Sequence, residues 1–206
     1  MNGVRISSVT RRMRALLAAC VVGGALLLAG CGNDAPAFQN LDITGNTQFG
    51  SNFALPDTSG KMRTLADFKG KAVVLFFGYT HCPDVCPTTM AELSQALQQL
   101  GTNAARVQVL FVTIDPARDT PNVLSQYVSA FNPTFIGLRP DDAELAKVAK
   151  DFRVYYAKVP GKSPDSYTMD HTAASYVFDP SGKLRLFARD GQGAQSWVHD
   201  LKLLLS

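Results

Sequence analysis

Continuous apolar runs alternate along the chain with segments of helical period. Residues 72–77 and 107–114 are rich in β-branched and aromatic side chains, which predicts strands buried on both faces. Shorter strands are predicted at 53–55, 135–138 and 175–178. Residues 183–187 alternate between polar and apolar after a Pro-Ser-Gly turn, which is typical of an edge strand in a hairpin.

Amphipathic periods lie between these strands. They predict four helices, at 88–100, 121–131, 141–152 and about 194–205, and a single helical turn at 65–68. Strands that alternate with helices indicate an α/β sandwich with some parallel pairing, to which the late hairpin adds antiparallel strands. We therefore expect one compact domain over residues 51–206.

The first 30 residues have a different pattern. Arginines precede an apolar run at 15–29, which ends in Leu28-Ala29-Gly30-Cys31. This order is typical of an export signal, and its end resembles a bacterial lipobox, in which the cysteine is acylated. We predict a lipoprotein signal peptide over 1–30, a lipid on Cys31 and a flexible tether over 31–50; an ordinary signal peptide or a short anchor helix is the alternative.

The net charge of the chain is different when residues 1–30 are left out. The whole chain carries a formal charge of +3, but residues 1–30 hold four arginines and no acidic residue. The rest of the chain is therefore close to neutral. A basic surface of the kind that binds nucleic acid is not expected on the folded part.

Two cysteines remain as candidate thiols, because Cys20 leaves with the predicted signal and Cys31 carries the predicted lipid. Cys82 and Cys86 follow the first buried strand and precede a helix, for which we expect Pro87 as the first residue. A helix N-terminus stabilises thiolate over thiol, the form that binds metal or attacks a disulfide. Their spacing permits both a disulfide and a shared soft metal ion, and does not choose between them.

The chain holds three histidines. In a sheet of the thioredoxin type, the loop containing His171 faces the N-terminus of the first helix, so we predict that Cys82, Cys86 and His171 form an open site for Cu(I), Cu(II) or Zn(II). Asp170 is expected to hydrogen-bond the second ring nitrogen of His171, and Asp115 to lie nearby. We do not expect His81 to be a ligand, because adjacent side chains in an extended segment diverge, and we expect His199 to be a surface residue. Met169 is either a soft extra ligand or a packing residue.

Four blocks of the sequence resemble the Sco/SenC family of membrane-tethered, thioredoxin-fold proteins of cytochrome c oxidase assembly. The most specific pair is the cysteine block 73–87 with the Asp-His block 170–182, and residues 53–60 and 112–121 add to it. The resemblance implies a thioredoxin-like sandwich with Cys82, Cys86 and His171 as copper ligands. It also implies a copper chaperone rather than an enzyme, which delivers copper to the dinuclear centre of oxidase subunit II. A periplasmic thiol reductant and a copper donor would be its other partners, and the periplasmic side of the inner membrane its location.

Other functions are weighed against copper delivery. A thiol–disulfide oxidoreductase that keeps the cysteines of the oxidase subunit reduced is compatible with the paired thiols of Cys82 and Cys86. Their spacing is C-x₃-C rather than C-x-x-C, however, and no proline immediately precedes the strand at 175–178. A thiol peroxidase lacks a convincing peroxidatic environment, and a structural zinc site would need a fourth ligand.

Overall fold

The computed structural model describes residues 37–163 and 166–206. The predicted signal peptide and Cys31 lie outside the described residues. In the described part, ten strands, four α-helices and two short 3₁₀ helices follow one another. The strands are β1 Leu41–Asp42, β2 Ala54–Pro56, β3 Met62–Thr64, β4 Ala72–Gly78, β5 Val107–Thr113, β6 Ile136–Leu138, β7 Tyr156–Pro160, β8 Tyr167–His171, β9 Ala174–Phe178 and β10 Leu184–Arg189. The helices are α1 Val85–Leu100, α2 Pro121–Phe131, α3 Asp142–Phe152 and α4 Gly193–Leu205, with 3₁₀ helices at Leu65–Phe68 and Gly101–Arg106.

A mixed six-stranded sheet forms the centre of the molecule, in the order β1-β10-β9-β4-β5-β6. Strands β4, β5 and β6 are parallel, whereas β9 runs antiparallel to β4 and β10 runs antiparallel to β9. Every residue of β4 and β5 is buried, as their continuous apolar sequences predict. These two strands therefore lie at the centre of the core.

Helices cover the sheet to complete the predicted α/β sandwich. Phe76 and Phe77 are consecutive in β4, so their side chains point to opposite faces. Phe76 packs against Phe111 of β5, whose ring also contacts Tyr127 of α2, while Phe77 packs against Phe152 of α3. The fold is the expected thioredoxin-like sandwich.

The sequence analysis did not predict four of the ten strands, β1, β3, β7 and β8. Strands β7 and β8 form a separate antiparallel hairpin, in which Tyr156 pairs with His171 and Pro160 pairs with Tyr167. The expected loop around His171 is thus the end of a strand. Strand β10 is not an edge strand, because β1 pairs along its other side.

The N-terminal part of the domain is longer than predicted. The carboxylate of Asp200, buried in α4, accepts hydrogen bonds from the backbone N–H groups of Gln39 and Asn40 at 2.8 and 2.9 Å. Phe49 stacks on the ring of Phe187. The prediction of a flexible tether as far as residue 50 is therefore wrong for residues 38–50, because their partners are 100 or more residues away in sequence and invisible to local composition.

Within residues 37–163 and 166–206, no helix combines the length and the hydropathy that crossing a bilayer needs.

Candidate metal centre

The two cysteines lie where β4 passes into α1. Helix α1 begins at Val85, two residues before the predicted start, so Cys86 and Pro87 both belong to its first turn. Pro87 fits there because the first N–H groups of a helix have no partner within the helix. Before the helix, the N–H of Cys82 donates to the carbonyl of Tyr79 at 3.2 Å, which folds the loop back on the end of β4.

The structure brings the predicted donor atoms together. The Sγ atoms of Cys82 and Cys86 and a ring nitrogen of His171 all lie within 4.8 Å of one another, and both cysteines are free thiols. Sγ of Cys86 is 3.7 Å from Nε2 of His171. In the described part of the chain this is the one cluster of three or more His, Cys, Asp or Glu donors that could hold a metal ion.

The two thiols have different environments. Cys86 is buried, whereas Cys82 is partly exposed and its Sγ accepts a hydrogen bond from the N–H of Cys86 at 3.5 Å. The hydrogen bond between the two side chains lowers the pKa of Cys82 to about 4 against the cost of its burial, with a further contribution from His171. The same hydrogen bond, together with burial, raises the pKa of Cys86. These opposite shifts favour a thiolate on Cys82 and a thiol on Cys86, and metal binding to both sulfurs must displace the thiol proton.

His171 presents its Nε2 atom to the cysteines because its other nitrogen is occupied. Nδ1 donates to the carbonyl of Thr172 at 3.0 Å, which leaves the lone pair of Nε2 free. The prediction that Asp170 holds this ring nitrogen is wrong. Successive side chains of β8 point to opposite sides, so Asp170 is exposed while Met169 and His171 face inward.

Asp115 contacts the start of the hairpin, and its side-chain hydrogen bonds reach none of the three donor residues. Its buried carboxylate accepts hydrogen bonds from the hydroxyl of Tyr167 at 2.9 Å and from Nε of Arg118. Tyr167 begins the strand that ends at His171. Asp115 therefore contributes to the placement of β8, and its closeness to the metal centre stays a prediction.

Gly78 and Asp119 support the centre, and the sequence prediction missed both. A Cβ atom on Gly78 would lie 2.7 Å from Sγ of Cys86, so only glycine allows the sulfur to pack on the end of β4. The buried carboxylate of Asp119 accepts hydrogen bonds from the N–H and hydroxyl of Thr80 and from the hydroxyl of Thr113. It fastens the loop that leads to Cys82 onto β5. A glycine at the end of a buried strand, directly before a cysteine motif, was the available signal for Gly78.

Neither of the other two histidines belongs to the cluster. His81 is exposed, with Nδ1 at 3.1 Å from the hydroxyl of Thr80, and His199 lies beside Asp200 on α4. Met169 is buried in the core. The donor set is then two sulfurs and one imidazole, which suits a soft ion such as copper and leaves a coordination position open.

Comparisons of the sequence with known proteins agree on one family. The model of the SCO1/SenC family matches residues 42–206. The chain is 37% identical over 139 residues to the SCO2-like protein of Rickettsia felis, which covers 67% of this chain and 68% of that protein. It is 41% identical over 132 residues to the mitochondrial SCO2 homolog of Bos taurus, or 63% of this chain. It spans only half of the length of that bovine protein.

Solved structures give the same result. ScoI of Bradyrhizobium japonicum with copper bound is 44% identical, with a TM-score of 0.67, and the match covers 76% of this chain and 99% of that one. The apo Sco1 protein of Thermus thermophilus is 37% identical, with a TM-score of 0.72, over 82% of this chain and 98% of that one. The similarity in both cases includes the sequence and the fold.

Proposed function

Because the chain belongs to the SCO1/SenC family, we propose that it is a copper chaperone of cytochrome c oxidase assembly. It binds copper through Cys82, Cys86 and His171, and it delivers the ion to the dinuclear copper centre of oxidase subunit II. Copper is then its cargo rather than a permanent cofactor.

The convergence of three soft donors carries this proposal. The sulfurs and the imidazole come from a helix N-terminus and from a hairpin strand 85 residues away, yet all lie within 4.8 Å of one another. Three protein ligands leave room for a fourth ligand from a partner, which is what transfer of an ion requires. The part-exposed Cys82 gives that partner access to the site.

We propose further that the protein is held on the periplasmic side of the inner membrane by a lipid on Cys31. The lipobox-like sequence supports this anchor, and the implied oxidase partner supports the inner membrane. The periplasm is oxidising, so the two sulfurs can close into a disulfide that binds no copper. A thiol reductant must therefore act before a copper donor loads the site.

Copper binding by the reduced and the oxidised full chain tests the proposal. We expect one copper ion at this site per reduced protein and none after Cys82 and Cys86 are oxidised to a disulfide. Replacement of both cysteines by serine gives the background from Cys20 and Cys31. His171→Ala should weaken binding strongly, whereas the control His199→Ala should not. Equal copper uptake by the reduced and oxidised forms would exclude a site made of two thiolates.

A thiol–disulfide reductase that acts on the oxidase subunit is the second candidate. The asymmetry of the pair favours it, since Cys82 is part-exposed with a low pKa and Cys86 is buried with a raised one. This is the arrangement of an attacking thiolate and a resolving thiol. Turnover of a model disulfide that is undiminished in His171→Ala would favour the reductase, because that chemistry does not need the imidazole.

A further inference from the structure

Arg118 contacts the start of the strand that carries His171. Three residues of β8 face inward: Tyr167, Met169 and His171. The N–H of Met169 donates to the hydroxyl of Tyr79 at 3.3 Å, and the ring of His171 lies edge-on to the same tyrosine, with 6.0 Å between the centroids. Tyr167 is held mainly by Arg118.

Arg118 makes three kinds of contact at once. Its Nε atom donates to the carboxylate of Asp115, and its Nη1 atom donates to the carbonyl of Tyr167 at 2.9 Å. Its guanidinium carbon lies 3.6 Å from the centroid of the Tyr167 ring and 5.8 Å from that of Tyr79. Since the hydroxyl of Tyr167 also donates to Asp115, the three side chains form a closed unit that joins the loop after β5 to the start of β8.

A contact at Tyr167 is transmitted to His171 through the paired strand. The two residues are the ends of β8, about 13 Å apart at the usual rise of a strand. The ladder to β7 runs unbroken from the Pro160–Tyr167 pair to the Tyr156–His171 pair, which connects the two ends of β8 through the hairpin. This two-stranded sheet shares no ladder with the central sheet. At its His171 end the chain passes within three residues into β9, whereas its Tyr167 end is held against the domain by the contacts of Arg118 and Asp115.

We propose that Arg118 is a positioning residue, which holds the β7–β8 hairpin so that the imidazole of His171 stays within reach of both sulfurs. This proposal rests on the proposed function in one respect, because it takes copper as the ion that the site binds. Arg118 touches neither the sulfurs nor the imidazole in the contacts of the described residues, so it acts through the strand.

We expect that a lysine at position 118 cannot position the hairpin as Arg118 does. A lysine keeps the positive charge, but it lacks the planar fork that reaches a carboxylate and a carbonyl while it stacks on a ring. The pair of variants Arg118→Lys and Arg118→Gln therefore separates positioning from charge. If the arginine only supplied positive charge near the thiolates, Lys would rescue the site and Gln would not.

The experiment uses the purified full chain, with copper(I) binding measured against a chromophoric chelator and the copper(II) complex examined by EPR. We expect both variants to weaken copper binding about tenfold, at the lower end of what outer-layer residues of metal sites contribute. We also expect them to reduce the nitrogen hyperfine signal of the imidazole. In the His171→Ala background, Arg118→Gln should lower the copper affinity by less than twofold. Arg185→Gln is the matched control, because Arg185 has similar exposure and an ion pair with Asp179, and it contacts neither the hairpin nor the cysteines.

A second measurement needs no metal. Amide hydrogen exchange at Met169 in the metal-free protein should be at least tenfold faster in Arg118→Gln than in the wild type, and unchanged in Arg185→Gln. If Arg118→Gln does not fold, Tyr167→Phe removes only the hydroxyl contact to Asp115 and should shift the exchange in the same direction.

Wild-type copper binding in Arg118→Lys, an equal loss with and without His171, or unchanged exchange at Met169 would overturn the positioning role. If the wild-type protein takes up no copper, the proposed function fails, while the exchange measurement still decides the role of Arg118.

Discussion

Sγ of Cys86 lies 3.7 Å from Nε2 of His171, although 85 residues separate the two in the chain. The cysteine lies in the first turn of α1, which follows β4 of the central sheet. The histidine lies at the end of β8, which belongs to the separate β7–β8 hairpin. The distance between the two atoms therefore depends on everything that positions the hairpin relative to the helix.

Gly78→Ala should damage the metal site more than it damages the fold. The added Cβ would lie 2.7 Å from Sγ of Cys86 and 3.0 Å from the ring of Phe111, so the sulfur must move. Overpacking of this kind costs about 1–3 kcal/mol of stability. We expect copper affinity to fall by at least tenfold, as measured by chelator competition.

Gly137→Ala provides the matched control for that substitution. Its Cβ would lie 2.7 Å from Cγ of Leu124, which is an equally tight contact away from the cysteines. We expect a similar decrease in melting temperature and unchanged copper affinity. Equal copper affinities in the two variants would show that Gly78 serves only the packing of the core.

Asp119→Asn should loosen the loop that precedes Cys82. The carboxylate accepts hydrogen bonds from the N–H and the hydroxyl of Thr80, and an amide in its place would turn a donor toward these donors. A buried donor without a partner costs about 1–3 kcal/mol, so we expect a lower free energy of unfolding in urea. Asp84→Asn is the control, because the exposed Asp84 side chain makes no capping hydrogen bond, and its effect should stay within about 0.5 kcal/mol. Similar effects of the two substitutions would argue against the role of Asp119.

The reaction of Cys82 with iodoacetamide should be nearly independent of pH between 6 and 8. A thiol with a pKa of about 4 is already a thiolate throughout that range, whereas an ordinary thiol gains about tenfold in rate per pH unit. The rate at Cys82 should fall only as the pH drops toward 4, where the thiolate gains a proton. Cys86, whose pKa is raised, should stay unmodified until Cys82 is blocked. Peptide mass spectrometry of the reduced, metal-free protein distinguishes these sites from Cys20 and Cys31. A rate at Cys82 that rises tenfold per pH unit would contradict the lowered pKa of this thiol.

The sequence was most informative where the signal is local. Strands β4 and β5 could be predicted because they are buried on both faces, and their apolar runs are continuous. Strand β1 could not, since two residues carry no period and its pairing depends on β10. The hairpin β7–β8 was missed for a related reason: it pairs only with itself, and its outward residues, such as Lys158 and Asp170, are polar.

The same distinction applies to the metal centre, where some features could be predicted from the sequence and others could not. Cys82 and Cys86 could be placed from the order of strand, loop and helix, and His171 from its position before β9. The partner of its second nitrogen could not, because it is a backbone carbonyl, and every residue has one. The roles of Asp119 and Arg118 depend on contacts across the tertiary structure, which no local pattern specifies.

Asp200→Asn should release the N-terminal segment without affecting the metal centre. Asp200 accepts hydrogen bonds from the N–H of Gln39 and from the N–H and side-chain amide of Asn40, all at 2.8–2.9 Å, so the substitution leaves buried donors facing a donor. We expect a loss of about 1–3 kcal/mol in stability and faster cleavage by proteases near residues 38–43. Copper affinity should stay within twofold of the wild type, because neither the segment nor Asp200 contacts the donor atoms. Asp170→Asn is the control for the protease measurement, since Asp170 is exposed on β8 and should leave the cleavage rate unchanged. Protection of residues 38–43 that persists in Asp200→Asn would mean that the pairing of β1 with β10, rather than the buried carboxylate, holds the segment in place.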